Sequence, residues 1–247
     1  MEPVVTKRLI IRRMAETDLL DFLAYQTHPE VLRYMPIEPL TQEKAIHFLR
    51  RQAVTEIGNE GGYIVFAIYH ISDAKMIGEV GINLLPKAQS KGEIGWSLHP
   101  NYQGRGYAAE AAQILLTYGF AHRKLHRITS ICDTRNTASF ILMERLGMRR
   151  EGHLKQSQFI KGIWQDEYIY ALLLDEWLFQ QSIYHTQTDE ICFSYLNRSG
   201  RTFDKTNNIT RKLTLFSCRW TYKIMQIFIP NANVNKITFL ADNLTLD

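Results

Sequence analysis

The stretch EIGWSLHPNYQGRGYAAEA, Glu93 to Ala111, leaves the chain few ways to fold. Its first part alternates polar and apolar residues as a half-buried strand does, and Gly104 and Gly106 then stand immediately before an alanine-rich helical run. A strand, a short glycine loop and a helix N-terminus make an anion site, because unpaired backbone N–H groups and the helix dipole both favour phosphate. Glycine also removes the Cβ where a ligand would lie against the backbone. On shape alone, a turn that simply needs glycine explains the stretch equally well.

Three ligand templates fit it unequally. The P-loop fails, because no Lys-Ser/Thr pair follows the second glycine. A dinucleotide fingerprint can be laid on Gly104, Gly106 and Ala109, with Asp133 after the next strand suited to a ribose hydroxyl. Against it, a buried first strand should lead almost directly into the glycines, whereas polar Glu93, Ser97 and His99 alternate here and Pro100 to Gln103 intervene.

The rest of the chain supplies helices around a sheet. RLIIRRM (8–14) reads as a strand, Leu19, Leu20, Phe22 and Leu23 open a helical pattern, and Thr41 starts an amphipathic helix through Ala45, Phe48, Leu49 and Ala53 to the Gly58–Gly62 loop. Strands at 63–71, 76–85 and 92–99 have the spacing of an antiparallel meander. A helix to about His122, a strand RITSICD, a helix from Asn136 to Leu146 stopped by Gly147, a strand near 148–155 and a strand WQDEYIYALLL follow. This is a single α/β or α+β domain over residues 1–177.

Beyond Trp177 the character changes. Residues 178–247 hold one glycine and seven asparagines, against 13 and four before them, and carry no motif for a second function. They read as an extension, with strand-like runs at KLTLFSCRWTYKIMQIFI and KITFLA, that resembles sequence read past a natural stop or a lineage-specific appendage; a chain ending near Trp177 or Gln181 is expected to fold and bind its ligand. The same division locates the charge. Of the net +4, eight Lys/Arg and five Asp/Glu belong to the extension, leaving 21 against 20 for the body. No phosphate-tracking groove is therefore expected and no DNA partner, although Arg50 and Arg51 form a local basic patch. The longest apolar run, Tyr168 to Leu174, is far short of the ~20 residues of a membrane span, and the N-terminus has no signal-like apolar core, so a cytoplasmic protein is expected. Cys132, Cys192 and Cys218 lack metal or redox spacing and read as buried thiols, and no metal is expected.

Gln103-Gly-Arg-Gly106-Tyr-Ala108 resembles the coenzyme A loop, Gln/Arg-x-x-Gly-x-Gly/Ala, of the Gcn5-related N-acetyltransferases (GNAT). With NTASFILMERLGM and TKRLIIRRM, the likeness covers residues 4–177 and is nearest the RimJ/RimL branch, which acetylates ribosomal protein N-termini. The resemblance implies a GNAT fold, a mixed and mostly antiparallel sheet flanked by helices, with acetyl-CoA as co-substrate. It implies that backbone N–H groups of Gln103, Gly104, Arg105, Gly106, Tyr107 and Ala108 cradle the pyrophosphate; the Arg105 side chain, from its place in the loop, either meets a phosphate oxygen or is simply solvated. It further implies that the sheet opens beside strand 92–99 so that the pantetheine arm pairs with backbone there, near Leu98 and His99, and with Asn136.

Acetyl transfer to an amine needs a neutral amine, a stabilised oxyanion and a departing thiolate. An α-amine near pKa ~8 is about a tenth neutral at pH 7, a lysine amine near ~10.4 only a few parts in ten thousand, so an N-terminal or small polar amine is the easier acceptor. The resemblance assigns the base to Glu93, with Glu79 as the alternative; an exposed strand carboxylate is the plain reading of either. It gives the oxyanion donor as the N–H of Leu98 or His99. Where many members carry a tyrosine acid this chain has Met143, which cannot donate a proton, and Ser139 offers a hydroxyl instead, unless it merely bonds its own helix. Asn136 can cap that helix or hold the pantetheine arm. His122, His126 and His153 show no ligand spacing, Trp96 and Trp164 read as core or groove wall, and Tyr34 and Met35 fall where acceptors are lined. The expectation is direct transfer without an acetyl-enzyme, by a monomer or homodimer. The acceptor is a protein N-terminal amine of ribosomal type, or else a small amine such as an amino acid, polyamine or aminoglycoside. A non-catalytic acyl-CoA binder and a dinucleotide oxidoreductase are the competing classes.

Overall fold

The computed structural model describes residues 1–55, 62–86 and 89–182. The chain divides into Met1–His185 and Thr186–Asp247; the strand-like runs of the extension, Cys192 and Cys218, and most of the Gly58–Gly62 loop lie outside the described residues.

The elements are β1 (Val4–Val5), β2 (Leu9–Arg13), α1 (Leu19–Gln26), α2 (Pro29–Leu32), α3 (Gln42–Val54), β3 (Tyr63–His70), β4 (Lys75–Leu84), β5 (Lys91–Leu98), α4 (Tyr107–Thr117), β6 (Arg127–Asp133), α5 (Thr137–Arg145), β7 (Arg149–Ile160) and β8 (Ile163–Leu173), closed by a helix, α6, over 174–182. The strands form one sheet in the order β1-β2-β3-β4-β5-β6-β8-β7. Alternation decides which helix covers which face. Ile64, Phe66 and Ile68 of β3 and Val80, Ile82 and Leu84 of β4 join the core under α4 and α5, while Val65 and Ala67 join Phe22, Tyr25, Ala45 and Leu49 under α1 and α3. On α4, Tyr107, Ala111, Ala112, Leu115 and Leu116 are buried at helical spacing, the two alanines letting the helix lie close to the sheet. Among the described residues, no helix is long and apolar enough to cross a membrane.

Every pairing in the sheet is antiparallel except β5 with β6, which run parallel and meet only over Lys91–Glu93 and Arg127–Thr129. Beyond Glu93 the two strands part, and the Ser130 hydroxyl takes the first freed carbonyl, that of Ile94, at 2.9 Å. This topology removes the dinucleotide reading, which needs a parallel doubly wound sheet. Asp133, its candidate ribose ligand, is held by Arg135 instead, at 2.9 and 2.6 Å.

Two irregularities shape the side of the sheet covered by α1 and α3. In β4 the register against β3 skips Ile77, a bulge whose neighbouring N–H, of Met76, is taken by Asp21 of α1 at 3.0 Å. At the start of β3, Tyr63 and Val65 extend past the end of β2; buried Gln52 of α3 accepts from Val65 N at 3.0 Å and donates to Tyr63 O at 3.2 Å, replacing the missing strand. The boundary expected at residue 177 falls inside α6. Trp177 is 5% exposed and stacks on Phe120 at 5.4 Å, and Gln180 Nε2 donates to Gly147 O at 3.2 Å.

Candidate active site

The glycine loop has the backbone geometry of an anion cradle. Gly104 and Gly106 adopt φ of +72° and +81°, conformations costly to any residue with a Cβ, and nothing in the protein lies within 4 Å of a Cβ built at 104. Gly106 is the N-cap of α4 and offers no capping side chain. The first intrahelical bond runs from Glu110 N to Gly106 O at 3.1 Å, so the N–H groups of Tyr107, Ala108 and Ala109 have no helical acceptor. Gln103 does not join them. Its N–H donates to Pro100 O at 3.1 Å and its Nε2 to Leu98 O at 3.0 Å, which fastens the loop to the end of β5. The Tyr107 side chain is also structural, its hydroxyl 3.0 Å from His70 Nε2 in the core.

Arg8 was not legible as part of this site. Its guanidinium bonds Glu110 at 2.8 and 2.6 Å and the Arg105 carbonyl at 3.0 Å, and it lies 4.5 Å from the Tyr107 ring centre. Its partners are about a hundred residues away in sequence, so no local pattern marks it. The Arg105 side chain itself points toward Tyr102 rather than lining the cleft.

Where β5 and β6 part, a cleft of 660 Å³ opens, with Trp96, Ser97 and Leu98 on one wall, Asn136, Ser139 and Leu142 on the other, and Gly104, Gly106 and Ala108 at the end. Backbone alternation sorts the two oxyanion candidates. His99 N–H donates to Ile77 O at 2.9 Å, so the odd-numbered amides of β5 face β4 and the N–H of Leu98 faces the opening. His99 is therefore a correction: its amide is spent within the sheet, its imidazole accepts from Asn101 N at 3.2 Å, and it is absent from the cleft wall.

Across the cleft, Asn136 caps α5, its Oδ1 accepting from Ser139 N at 3.1 Å; its amide nitrogen remains for the cleft. Ser139 lines the cleft. Burial pushes the Cys132 thiol up to about 11, an effect that the Ser139 hydroxyl opposes. Met143 is fully buried.

A second pocket, of 450 Å³, lies on the α1/α3 face and shares Trp96 and Ser97 with the cleft. Glu79 lines it, opposite Ser97 in the β4–β5 register. Its carboxyl accepts from Tyr25 Oη at 2.9 Å and Gln26 Nε2 at 3.0 Å; desolvation outweighs both bonds and pushes its pKa up to about 7. Glu93 lies elsewhere. It pairs with Asn83 and Thr129 where β5 and β6 are still joined, accepts from the Tyr63 hydroxyl, and lines neither pocket. Four residues of strand, about 13 Å, separate it from Ser97. Met35 lines the second pocket and Tyr34 the first, whereas Trp164 is exposed on the β7–β8 hairpin. Among the described residues, no cluster of side chains is suited to a metal.

An open strand edge beside an uncapped helix N-terminus fits a long ligand with a β-strand-like arm and a pyrophosphate, which is the chemistry of coenzyme A. Comparison with known proteins agrees. Residues 8–149 match the family described as Acetyltransferase (GNAT) domain. The chain is 36% identical to an uncharacterised N-acetyltransferase, YnaD, of Bacillus subtilis over 70% of its own length and 98% of the relative's. It is 26% identical to the [ribosomal protein uS5]-alanine N-acetyltransferase of Escherichia coli, over 70% and 92%. A GNAT-family acetyltransferase of Bacillus anthracis, 34% identical, superposes with a TM-score of 0.62 over 70% of this chain and 99% of that one. With the family match spanning more than half its length, the chain belongs to the GNAT acetyltransferases and is an N-acetyltransferase that uses acetyl-CoA.

Proposed function

We propose that the acceptor is a protein N-terminal α-amine, with Glu79 as base, the Leu98 N–H as oxyanion donor and Ser139 as acid. The observation that carries this reading is Glu79, a carboxyl near pKa 7 in a pocket that meets the coenzyme cleft at Trp96 and Ser97. A base of that strength is matched to an α-amine near ~8 and is some three units too weak for a lysine amine near ~10.4. The E. coli relative that modifies uS5 alanine supports an N-terminal acceptor of ribosomal type.

Acetyl-CoA brings the thioester whose carbonyl carbon the amine attacks. Glu79 takes the ammonium proton, and the Leu98 N–H donates to the carbonyl oxygen as it gains charge. As the C–S bond breaks, the second amine proton passes to the departing sulfur through the Ser139 hydroxyl, which gives one proton and takes back another. Gly104 to Ala109 hold the pyrophosphate with backbone donors, and Arg8 keeps that loop in place through Glu110 and the Arg105 carbonyl.

The test is thiol release from acetyl-CoA with N-terminal peptides, comparing Glu79→Gln, Glu93→Gln and Ser139→Ala. Glu79→Gln should lower kcat/KM by about 10²–10⁴-fold and abolish the rise in rate with pH near 7, while Glu93→Gln stays within about threefold. Loss of activity in Glu93→Gln with Glu79→Gln unaffected would return the base to Glu93.

A further inference from the structure

The pocket beside Glu79 is built unlike the coenzyme cleft. Its walls are the apolar side chains of Phe22, Met35, Ile37, Leu40, Phe48 and Val65, and its floor includes Gly81 and Gly95, positions from which a strand would otherwise project side chains into it. Among the described residues, Glu79 is the single acidic one lining it. Beside Glu79 is Gln26, 3% exposed, which also lines the pocket; its Nε2 donates to Glu79, and its Oε1 has no hydrogen-bond partner. Gln26 thus holds the carboxyl in place from behind, and the half-buried Glu79 is the acceptor that an amine entering the pocket meets.

We propose that this pocket receives a primary amine attached beside an apolar side chain larger than methyl, of the size of Leu, Met or Phe. The amine donates to Glu79, and the side chain fills the cavity. The inference rests on the reading that the Glu79 side is the acceptor side, and it narrows that reading. A methyl group leaves most of 450 Å³ empty. A polyamine or aminoglycoside would bring further ammonium groups against apolar walls that, among the described residues, offer no second carboxylate.

Pentapeptides identical after the first residue, beginning with Leu, Met, Phe, Ala, Ser or Gly, test this together with leucinamide, 2-phenylethylamine and spermidine. The readout is kcat/KM for thiol release at saturating acetyl-CoA. The Leu, Met or Phe peptides should exceed the Ala, Ser and Gly peptides by about tenfold or more. Gly95→Val supplies the converse. A Cβ built there has the Tyr63 ring at 3.9 Å as its nearest neighbour, an ordinary contact, so the larger side chain takes up cavity volume and should bring the Leu/Ala ratio down toward unity. If Gly95→Val loses acetyl-CoA binding in a thermal-shift assay, the wild-type ranking decides alone. The small amines separate two sources of the same chemistry. Leucinamide turned over like the Leu peptide makes a free apolar amine sufficient, and a hundredfold loss makes it a protein N-terminus. A ranking led by Ala, Ser, Gly or spermidine overturns the proposal while leaving an N-acetyltransferase. Turnover of no amine, with acetyl-CoA binding intact, overturns the N-terminal reading as well.

Discussion

Glu79 shows how a single residue can be tuned against its fold. Burial raises its folded pKa to about 7 from an ordinary value of 4.5. Below pH about 4.5, folded and unfolded chains both hold the proton; between there and about 7 the unfolded chain releases it first, so stability falls as pH rises and the loss is complete above about 7. At about 1.4 kcal/mol per unit the cost comes to somewhat over ~3 kcal/mol. Glu79→Gln removes it, and its amide can meet both Tyr25 Oη and the unpaired Gln26 Oε1. Thermal melts should show Glu79→Gln more stable than the wild type at pH 8, the difference shrinking toward zero near pH 4. A variant equally or less stable at pH 8 would mean that the carboxylate is better solvated than its contacts indicate. Little of this could be read from the chain. The GNAT fold and its coenzyme were, because a strand, Gly104, Gly106 and an alanine-rich helix are contiguous and their geometry is local. Glu79 and Gln26 meet only across the packing of α1 on β4, and Arg8 reaches Glu110 across the whole domain, so neither leaves a spacing to read. His99 was misassigned because adjacent amides of a strand face opposite ways, and which of Leu98 and His99 faces the opening is set by the register of β5 on β4, a non-local pairing with no sequence signature.

Among the elements, α4 carries the most specific burden, since its first turn is both a structural start and the proposed ligand surface. Gly106→Ala forces a Cβ onto φ +81°, at a cost of about 1–2 kcal/mol, and the loop relieves it by turning N–H groups out of line. Acetyl-CoA affinity should fall at least tenfold in calorimetric titration, with the melting temperature lowered by several degrees. Unchanged affinity would show that the amides of 107–109 are not the phosphate donors. Ser130 offers a milder check on the same opening. Replaced by alanine, it strands the Ile94 carbonyl, and about 1 kcal/mol of stability should be lost.

For the whole molecule, the question is where the folded body ends. Trp177 and Gln180 of α6 pack on Phe120 and Gly147, so a chain ending after Ser182 should fold and bind acetyl-CoA like the full chain. One ending after Leu173 loses the buried Trp177 and should be destabilised by about 3–5 kcal/mol, as circular dichroism melts would record. Equal stability of the two would make α6 an ornament. Between β5 and β6, by contrast, the backbone ladder is only three residue pairs long. A ligand that lies along the free edge of β5 restores hydrogen bonds that the chain cannot make for itself, and so acts as a missing strand. Acetyl-CoA bound along that edge should therefore raise the melting temperature in step with its concentration.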